Sequence, residues 1–149
     1  MQIKRYKDNP ILAPNEDNDW EAVATFNASI VHDNETYHMV YRAVAREKVY
    51  FERSIELSTI GYAASRDGIT FSDRRLLISP EYGWEQFGCE DPRVTKIDDK
   101  YYIFYTALSD YPHTADGIKV AVAVTKDFQE FETKKLVTPF NAKAMALFS

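Results

Sequence analysis

The stretch "WEQFGCEDPRVTKIDDKYYIFYTA" (84–107) decides the fold, because the chain carries its pattern twice. Aligned without a gap at an offset of 64 residues, it lies over "WEAVATFNASIVHDNETYHMVYRA" (20–43), and Trp84 falls on Trp20. A fixed period of several tens of residues is the signature of a repeat architecture. The sequence therefore predicts two structural units of the same kind.

A second block follows each copy and extends the repeat. The segment "IGYAASRDGITF" (60–71) lies over "VAVAVTKDFQEF" (120–131) at an offset of 60 residues, with Asp67 on Asp127. In both blocks the aspartate stands in a turn, where Asp and Gly commonly serve the backbone geometry. We expect these two turns to be structural.

Each unit is predicted to consist of short antiparallel strands separated by turn residues. Alternation and enrichment in β-branched and aromatic residues favour strands, and no stretch of helical period competes with them. In the first unit the strands are "ASIVH" (28–32), "YHMVYRA" (37–43), "TIGYAAS" (59–65) and "RRLLIS" (74–79). Four strands in about 60 residues are typical of a β-propeller blade. A β-sandwich would explain the strands but not the repeat.

The fold class is therefore predicted to be all-β, with residues 1–149 forming the N-terminal part of a single β-propeller domain. Blade 1 would span about 28–80, blade 2 about 93–139, and 140–149 would begin a third blade. Propellers close with about four or more blades, and two alone would leave apolar faces and strand edges in water. We therefore expect either a longer protein, of which this is the front part, or completion by assembly as a homo-oligomer.

Composition and charge argue against several classes of function. A net charge of −5 with scattered Lys and Arg argues against a nucleic-acid partner, because phosphate backbones are bound by clustered cations. No apolar run approaches the roughly 20 residues of a membrane span, and the first residues lack the apolar core of a signal peptide. No membrane partner and a cytoplasmic location are therefore predicted. Cys89 is the only cysteine and the three histidines lack metal-ligand spacing, so neither a disulfide nor a metal site is predicted.

Polar residues stand where each copy begins its first strand. In a propeller that strand is the innermost, so the residues at its start line the mouth of the central funnel. The alignment puts Asn27 over Asp91 and Ser29 over Arg93, and Lys143 stands at the corresponding place ahead of the third unit. Such a ring of polar groups suits a small polyhydroxylated or anionic ligand, and aromatic side chains at the rim would stack on sugars.

Plainer interpretations of these residues stay open from the spacing alone. An Asp before a Pro is most often a turn residue, and Asn27 and Ser29 are common types at the start of a strand. Arg42 lies in the middle of a predicted strand, where a charge must be either paired or functional. The charged loop 44–57 either shapes a cleft or is simply solvated.

The orientation of the acidic pair follows from strand geometry. Glu90 and Asp91 are neighbours in an extended segment, so their side chains should point in opposite directions and only Asp91 should face the axis. Burial or a carboxylate neighbour raises the pKa of an acid, and a nearby cation such as Arg93 lowers it. The sequence does not rank these two influences.

Taken together, a set of motifs resembles glycoside hydrolase family 130, the β-mannoside phosphorylases and their hydrolytic relatives. The motifs occur in order over nearly the whole chain: "NPIL", "TFNAS", "VYRA", "IGYAASRDGITF", "EDPRVT", "YYIFYTA" and "KAMALF". The resemblance implies a five-bladed β-propeller. This chain would supply its N-terminal half, in agreement with the incomplete ring that the repeat predicts.

The resemblance also implies an activity: inverting phosphorolysis of β-1,4-mannosides, giving α-mannose 1-phosphate. Inorganic phosphate would be the co-substrate, and no other cofactor is implied. Asp91 matches the general acid of the family, which is thought to protonate the glycosidic oxygen by way of the mannosyl C3 hydroxyl. The candidate substrate-binding residues are Asn27, Ser29, Arg42, Glu90 and Arg93, and the candidate phosphate-binding residues are Arg93 and Lys143.

The chain departs from the family pattern near its end. Lys143 matches the lysine of a "KD" motif, but Ala144 stands where Asp is usual, and Ser149 stands in place of a Pro. Two alternatives to the phosphorylase are a glycoside hydrolase of the same or a related five-bladed family, and a non-catalytic sugar-binding or scaffolding fragment. An inverting hydrolase needs a second carboxylate about 6.5 to 9.5 Å from the first to activate water, whereas phosphorolysis needs cations that hold an anion.

Overall fold

The computed structural model describes residues 4–148, so the Ser149 position lies outside the described residues. The described chain is all-β, as predicted, with single 3₁₀ turns at Asp19–Glu21, Gly83–Glu85 and Ala115–Gly117. The strands are β1 (Ala24–Asp33), β2 (Thr36–Val44), β3 (Lys48–Tyr50), β4 (Arg53–Ile55), β5 (Ser58–Ser65), β6 (Ser72–Ile78), β7 (Cys89–Ile97), β8 (Lys100–Leu108), β9 (Ile118–Thr125) and β10 (Phe131–Leu136).

The two copies of the repeat form two four-stranded antiparallel sheets with the same connectivity. The first sheet has the order β1-β2-β5-β6, and the second has the order β7-β8-β9-β10. The hairpin β3-β4 is inserted between β2 and β5 and forms a separate two-stranded sheet. The blade boundaries and the five-bladed ring stay predictions.

The two sheets pack face to face through alternate residues of their strands. The shared core of fully or nearly fully buried side chains consists of Val40, Ile60, Tyr62, Ile78, Cys89, Val94, Tyr101, Ile103, Tyr105, Ala107, Ala121, Ala123 and Phe128. In β5 the core-facing members, Ile60 and Tyr62, are two residues apart, as the period of a strand requires. Removing such apolar area from water contributes about 25 cal/mol per Å², so this interface is the main source of cohesion between the copies.

A buried carboxylate anchors the second sheet. Glu85 is fully buried at the end of its 3₁₀ turn, where it accepts a hydrogen bond of 2.7 Å from the hydroxyl of Tyr105 on β8. Its other oxygen lies 2.6 Å from Nζ of Lys134 on β10, a side chain that is only 5% exposed. One buried charge thus ties the turn before β7 to a central strand and an edge strand.

The first sheet repeats this anchor at the matching positions. Glu21 is also fully buried, and it accepts a hydrogen bond of 2.8 Å from the hydroxyl of Tyr41. The guanidinium of Arg74 on β6 lies 2.5 Å from the same carboxylate. The alignment had paired the glutamates and the tyrosines, and the structure adds the cation as the third member of each anchor.

The two turn aspartates have the structural role that the sequence predicted. The Oδ1 atom of Asp67 accepts backbone N–H bonds from Ile69 and Thr70 at 2.8 and 2.7 Å. The Oδ1 atom of Asp127 accepts the equivalent bonds from Gln129 and Glu130 at 2.8 and 3.1 Å. Both aspartates therefore close the turn before the last strand of a sheet.

The charged loop 44–57 is more structured than a solvated loop. It contains the hairpin β3-β4, and Ala45, Ile55 and Leu57 form a buried cluster. Tyr50 and Phe87 pack edge to face with ring centroids 6.2 Å apart, so the hairpin rests on the loop that leads into β7. Of the two interpretations left open for this loop, the structure supports the one in which it shapes a cleft, because Arg46 and Leu57 line one of about 440 Å³.

A left-handed residue and an extra residue interrupt the first strand of each sheet at the same place. Asn27 and Asp91 both have a φ of 51°. The register of β1 with β2 shifts between Phe26 and Ser29, and that of β7 with β8 shifts between Glu90 and Arg93. Asn and Asp are the residues other than glycine that most readily adopt this conformation, so the residue types fit the bulge.

The segment predicted to begin a third unit has a left-handed residue of an unsuitable type. When this segment is aligned with the two bulges, Lys143 occupies the position of Glu90 and Phe26. Ala144 then occupies the position of Asp91 and Asn27. Ala144 has a φ of 59°, although its side chain offers no hydrogen bond to offset the strain.

We expect Glu85→Gln to lower the free energy of unfolding by about 3 kcal/mol, because the buried ammonium of Lys134 keeps only the exposed carboxylate of Glu81, 3.4 Å away, as a counter-charge. Glu132→Gln is the matched control, since the Lys100–Glu132 pair is 35% and 40% exposed and should contribute less than about 1 kcal/mol. Urea unfolding of both variants measures the difference. Equal effects would contradict the assignment of Glu85 as an anchor.

We expect Ala144→Gly to raise the free energy of unfolding by about 1 kcal/mol, because glycine adopts a positive φ without the steric cost that alanine bears. Ala146→Gly is the control, since Ala146 is not among the residues with positive φ, and glycine there should only destabilise. A thermal unfolding series measures both. Destabilisation by both changes would mean that residue 144 is not left-handed in solution.

Candidate active site

The two left-handed residues meet across the interface between the sheets. The amide Nδ2 of Asn27 donates a hydrogen bond of 2.6 Å to Oδ1 of Asp91. Asn27 belongs to β1 and Asp91 to β7, so the contact joins equivalent positions of the two copies. The structure thus brings together two residues that the alignment had placed around a common axis.

Both members of the acidic pair face this site, and the expectation that only Asp91 does so is wrong. Arg42 on β2 lies with one terminal nitrogen 2.6 Å from Oε1 of Glu90 and the other 3.5 Å from Oδ1 of Asp91. Strict alternation would have sent the two acids to opposite faces. The left-handed backbone at Asp91 breaks the alternation, because a bulge re-aims the side chains beside it.

A second cation reaches the acidic pair from the segment that follows β10. Nζ of Lys143 lies 3.1 Å from Oε2 of Glu90 and 3.3 Å from Oδ2 of Asp91. Arg42 also donates a hydrogen bond of 3.1 Å from Nε to the hydroxyl of Ser58. The centre therefore holds two carboxylates and two cations, and the arginine in the middle of the strand is paired.

Arg93 and Ser29 lie beside this cluster and make other contacts. Arg93 donates hydrogen bonds to the carbonyl oxygens of Pro92 at 2.7 Å and of Asn27 at 3.4 Å. The hydroxyl of Ser29 accepts the backbone N–H of Val94 at 3.1 Å. Ser29 thus ties β1 to β7. Among residues 4–148, Arg93 has no carboxylate within ion-pairing distance.

The electrostatic balance at Asp91 favours the ionised form. Burial alone would raise the pKa of Asp91, but the hydrogen bond from Asn27 and the charges of Lys143 and Arg42 outweigh it, and the pKa is lowered overall. The cations responsible differ from Arg93, which the sequence had suggested. The pKa of Lys143 is raised: its own burial opposes the charge, and its contacts with Glu90 and Asp91 prevail.

Phe26 also belongs to this part of the structure, although the sequence interpretation did not select it. Its ring centroid lies 4.8 Å from the guanidinium carbon of Arg42, and the side chain is 40% exposed. The gapless alignment contained the signal, because it puts Phe26 over Glu90.

The cleft described next lies away from the candidate site, and residues 4–148 contain neither a metal-binding cluster nor a membrane-spanning helix. A cleft of about 440 Å³ lies beside Trp20, Arg46, Leu57 and Thr59, and none of the predicted site residues lines it. Within residues 4–148 there is no group of three or more His, Cys, Asp and Glu side chains arranged to hold a metal ion. No helix in that part of the chain is long and apolar enough to cross a membrane.

Comparison with known sequences gives consistent matches. The sequence model of glycoside hydrolase family 130, described as beta-1,4-mannooligosaccharide phosphorylase, matches residues 2–148. A 1,2-beta-oligomannan phosphorylase of Thermoanaerobacter sp. (strain X514) is 35% identical over 154 residues, covering 99% of this chain and 49% of the relative. A beta-1,2-mannobiose phosphorylase of the same strain is 33% identical over 156 residues, covering 100% and 51%. The chain spans about half the length of the curated relatives it matches.

Solved structures agree in fold. A glycosyl hydrolase from Bacteroides ovatus superposes with a TM-score of 0.71 at 27% identity, over 89% of this chain and 40% of that one. A structure described with the glycoside hydrolases of family 130 that target beta-1,2 mannosidic linkages in Candida mannan has a TM-score of 0.70 at 26% identity, over 88% and 39%. With a family match over residues 2–148 and a relative at 35% identity, the chain belongs to glycoside hydrolase family 130.

Proposed function

We propose that this chain is the N-terminal half of an inverting β-mannoside phosphorylase, with Asp91 as its general acid. The observation that supports this most is the junction of Asn27, Arg42 and Lys143 on a single acidic pair, which gathers residues from three successive copies. Phosphate would attack C1 from the face opposite the leaving sugar, the C1–O bond would break, and α-mannose 1-phosphate would form. The proton of Asp91 would pass through the mannosyl C3 hydroxyl to the departing oxygen.

The lowered pKa of Asp91 sets a condition on this mechanism. A general acid must carry its proton near neutral pH, and the cations around Asp91 oppose this in the ligand-free site. A phosphate anion that binds Lys143 would weaken the hold of that cation on Asp91 and so raise the pKa of the acid. Binding of the co-substrate would thereby prepare the proton donor.

Glu90 is too close to Asp91 to act as the second carboxylate of an inverting hydrolase. Lys143 Nζ lies 3.1 Å from Glu90 Oε2 and 3.3 Å from Asp91 Oδ2, so those oxygens are at most 6.4 Å apart. Inverting hydrolases separate their carboxyl groups by about 6.5 to 9.5 Å to admit water. This favours phosphorolysis, or a hydrolase whose base lies outside the described residues.

Arg93 and Lys143 are the proposed ligands of phosphate. Arg93 bonds only to carbonyl oxygens within residues 4–148, so its charge is not neutralised by a carboxylate there. Lys143 is the more exposed of the two cations on the acidic pair, with 47% of its side chain accessible against 20% for Arg42. Arg42, with Asn27, Ser29 and Glu90, is then the proposed sugar-binding group.

The proposal extends to the whole assembly. The sheets of residues 24–78 and 89–136 would be the first two blades of a five-bladed propeller, completed by further chain or by a homo-oligomer in the cytoplasm. The two curated relatives described above are named for a β-1,2-linked oligomannan and β-1,2-mannobiose, whereas the family description and the sequence resemblance indicate β-1,4. Substrates with either linkage should therefore be tested.

A non-catalytic sugar-binding fragment is the second candidate. Ala144 favours it, because this residue takes the backbone position of Asn27 and Asp91 without a polar side chain. Glycan binding that survives Asp91→Asn, without turnover in any form of the protein, would support this candidate.

We expect the protein, completed to the length of its relatives, to release mannose 1-phosphate from β-1,2- or β-1,4-mannobiose only when phosphate is present. Asp91→Asn should reduce turnover by about 10² to 10⁴, as for the loss of a general acid. Asp116→Asn, in an exposed turn, is the matched control and should leave turnover unchanged. Sugar release that is indifferent to phosphate would favour a hydrolase. The 149 residues alone should show little or no turnover.

We expect Lys143→Met to raise the pKa of Asp91, because it removes a charge that stabilises the carboxylate. A depressed carboxyl pKa stabilises the fold above the unfolded-state value near 3.8, and this contribution is lost as the pH falls through the folded-state value. At neutral pH the free energy of unfolding of Lys143→Met should therefore be lower than that of the unmodified protein. Carboxyl ¹³C NMR titration measures the shift, with Lys135→Met as the exposed control, and an unchanged Asp91 pKa in Lys143→Met would contradict the pairing.

A further inference from the structure

The residue before each left-handed position points into the candidate site in the second and third copies. Glu90 precedes Asp91 and contacts Arg42 at 2.6 Å, and Lys143 precedes Ala144 and contacts Glu90 at 3.1 Å. In β7 the bulge directs Glu90 and Asp91 to one side, which ordinary strand alternation would not do. The same rule applies to the first copy, where the residue before Asn27 is Phe26.

Phe26 has the surroundings of a binding platform. Its ring packs against the guanidinium of Arg42 at 4.8 Å, and that guanidinium is 3.5 Å from Oδ1 of Asp91. The side chain is nevertheless 40% exposed, although its neighbours Asn27 and Ser29 on β1 bond to β7 of the second sheet. An aromatic ring left open beside a cluster of polar groups is the usual composition of a small-molecule site.

We propose that Phe26 is a substrate-contacting residue that stacks on the apolar C–H face of a pyranose ring bound at Asp91. The inference rests on the proposed function for the identity of the sugar. A pyranose presents C–H bonds on one face and hydroxyl groups at its edge. Phe26 would receive the face, while Asn27 and Arg42 would bind the edge. The cation–π contact with Arg42 holds the ring in place.

This assignment predicts which substitutions keep the platform. Phe26→Tyr retains an aromatic face, whereas Phe26→Leu retains apolar volume without a π face. Aromatic contacts contribute about 0.5 to 1.5 kcal/mol beyond area burial, so Phe26→Leu should weaken sugar binding about two- to twelvefold. Phe140→Leu is the matched control, since Phe140 is 63% exposed and lies outside the cluster.

The test is a proton NMR titration of the chain with methyl β-mannoside. Protons of the sugar that lie over an aromatic face shift upfield, and they show nuclear Overhauser contacts to the ring protons of Phe26. We expect both signals in the unmodified chain, in Phe26→Tyr and in Phe140→Leu, and neither in Phe26→Leu. A purely structural role of Phe26 in holding Arg42 would not produce contacts between the sugar and the ring.

Two outcomes would overturn the inference: an upfield shift that persists in Phe26→Leu, or no binding of methyl β-mannoside to the unmodified chain. The contacts to the ring are read in the unmodified chain, so a folding defect in one variant does not decide the result. Failure of the proposed function can be told apart from failure of this inference. If only the proposed function is wrong, the sugar still stacks on Phe26, but the completed protein forms no mannose 1-phosphate.

Discussion

The left-handed backbone at Asp91 is the constraint on which the candidate site depends. In a regular strand Glu90 and Asp91 would lie on opposite faces of the second sheet. With a φ of 51° and one extra residue in β7, both carboxylates instead meet the same two cations. The side chain of Asp91 is also one of the few that tolerate this conformation, so the chemistry and the backbone geometry select the same residue.

The buried glutamates connect this local geometry to the stability of the sheets. Glu85 fixes the 3₁₀ turn that leads directly into β7, through Tyr105 and Lys134 on more distant strands. Glu21 does the same before β1. Each bulge therefore follows a turn that is held from two sides, which keeps Asn27 and Asp91 within hydrogen-bond distance across the interface.

The fold could be predicted from the repeat. The site could be predicted only in part, because it depends on bulges where the strands are irregular. The matched strands were found from alternation and turn residues, because those signals are local. The common position of Asn27 and Asp91 followed from the alignment. The orientation of Glu90 did not, because alternation holds only where the backbone is extended. The pairing of Lys143 with Glu90 and Asp91, and the packing of loop 44–57 on Phe87, depend on distant contacts that no local pattern encodes.

The pairing of Glu90 with Arg42 tests the central geometry most directly, and a double-mutant cycle measures it. The unfolding free energies of Glu90→Ala, Arg42→Ala and the double variant yield one coupling energy. With the two groups 2.6 Å apart and largely buried, we predict a coupling of about 1 kcal/mol or more. A coupling near zero would mean that Glu90 points away from the cations, as an unbroken strand would require, and would contradict the account.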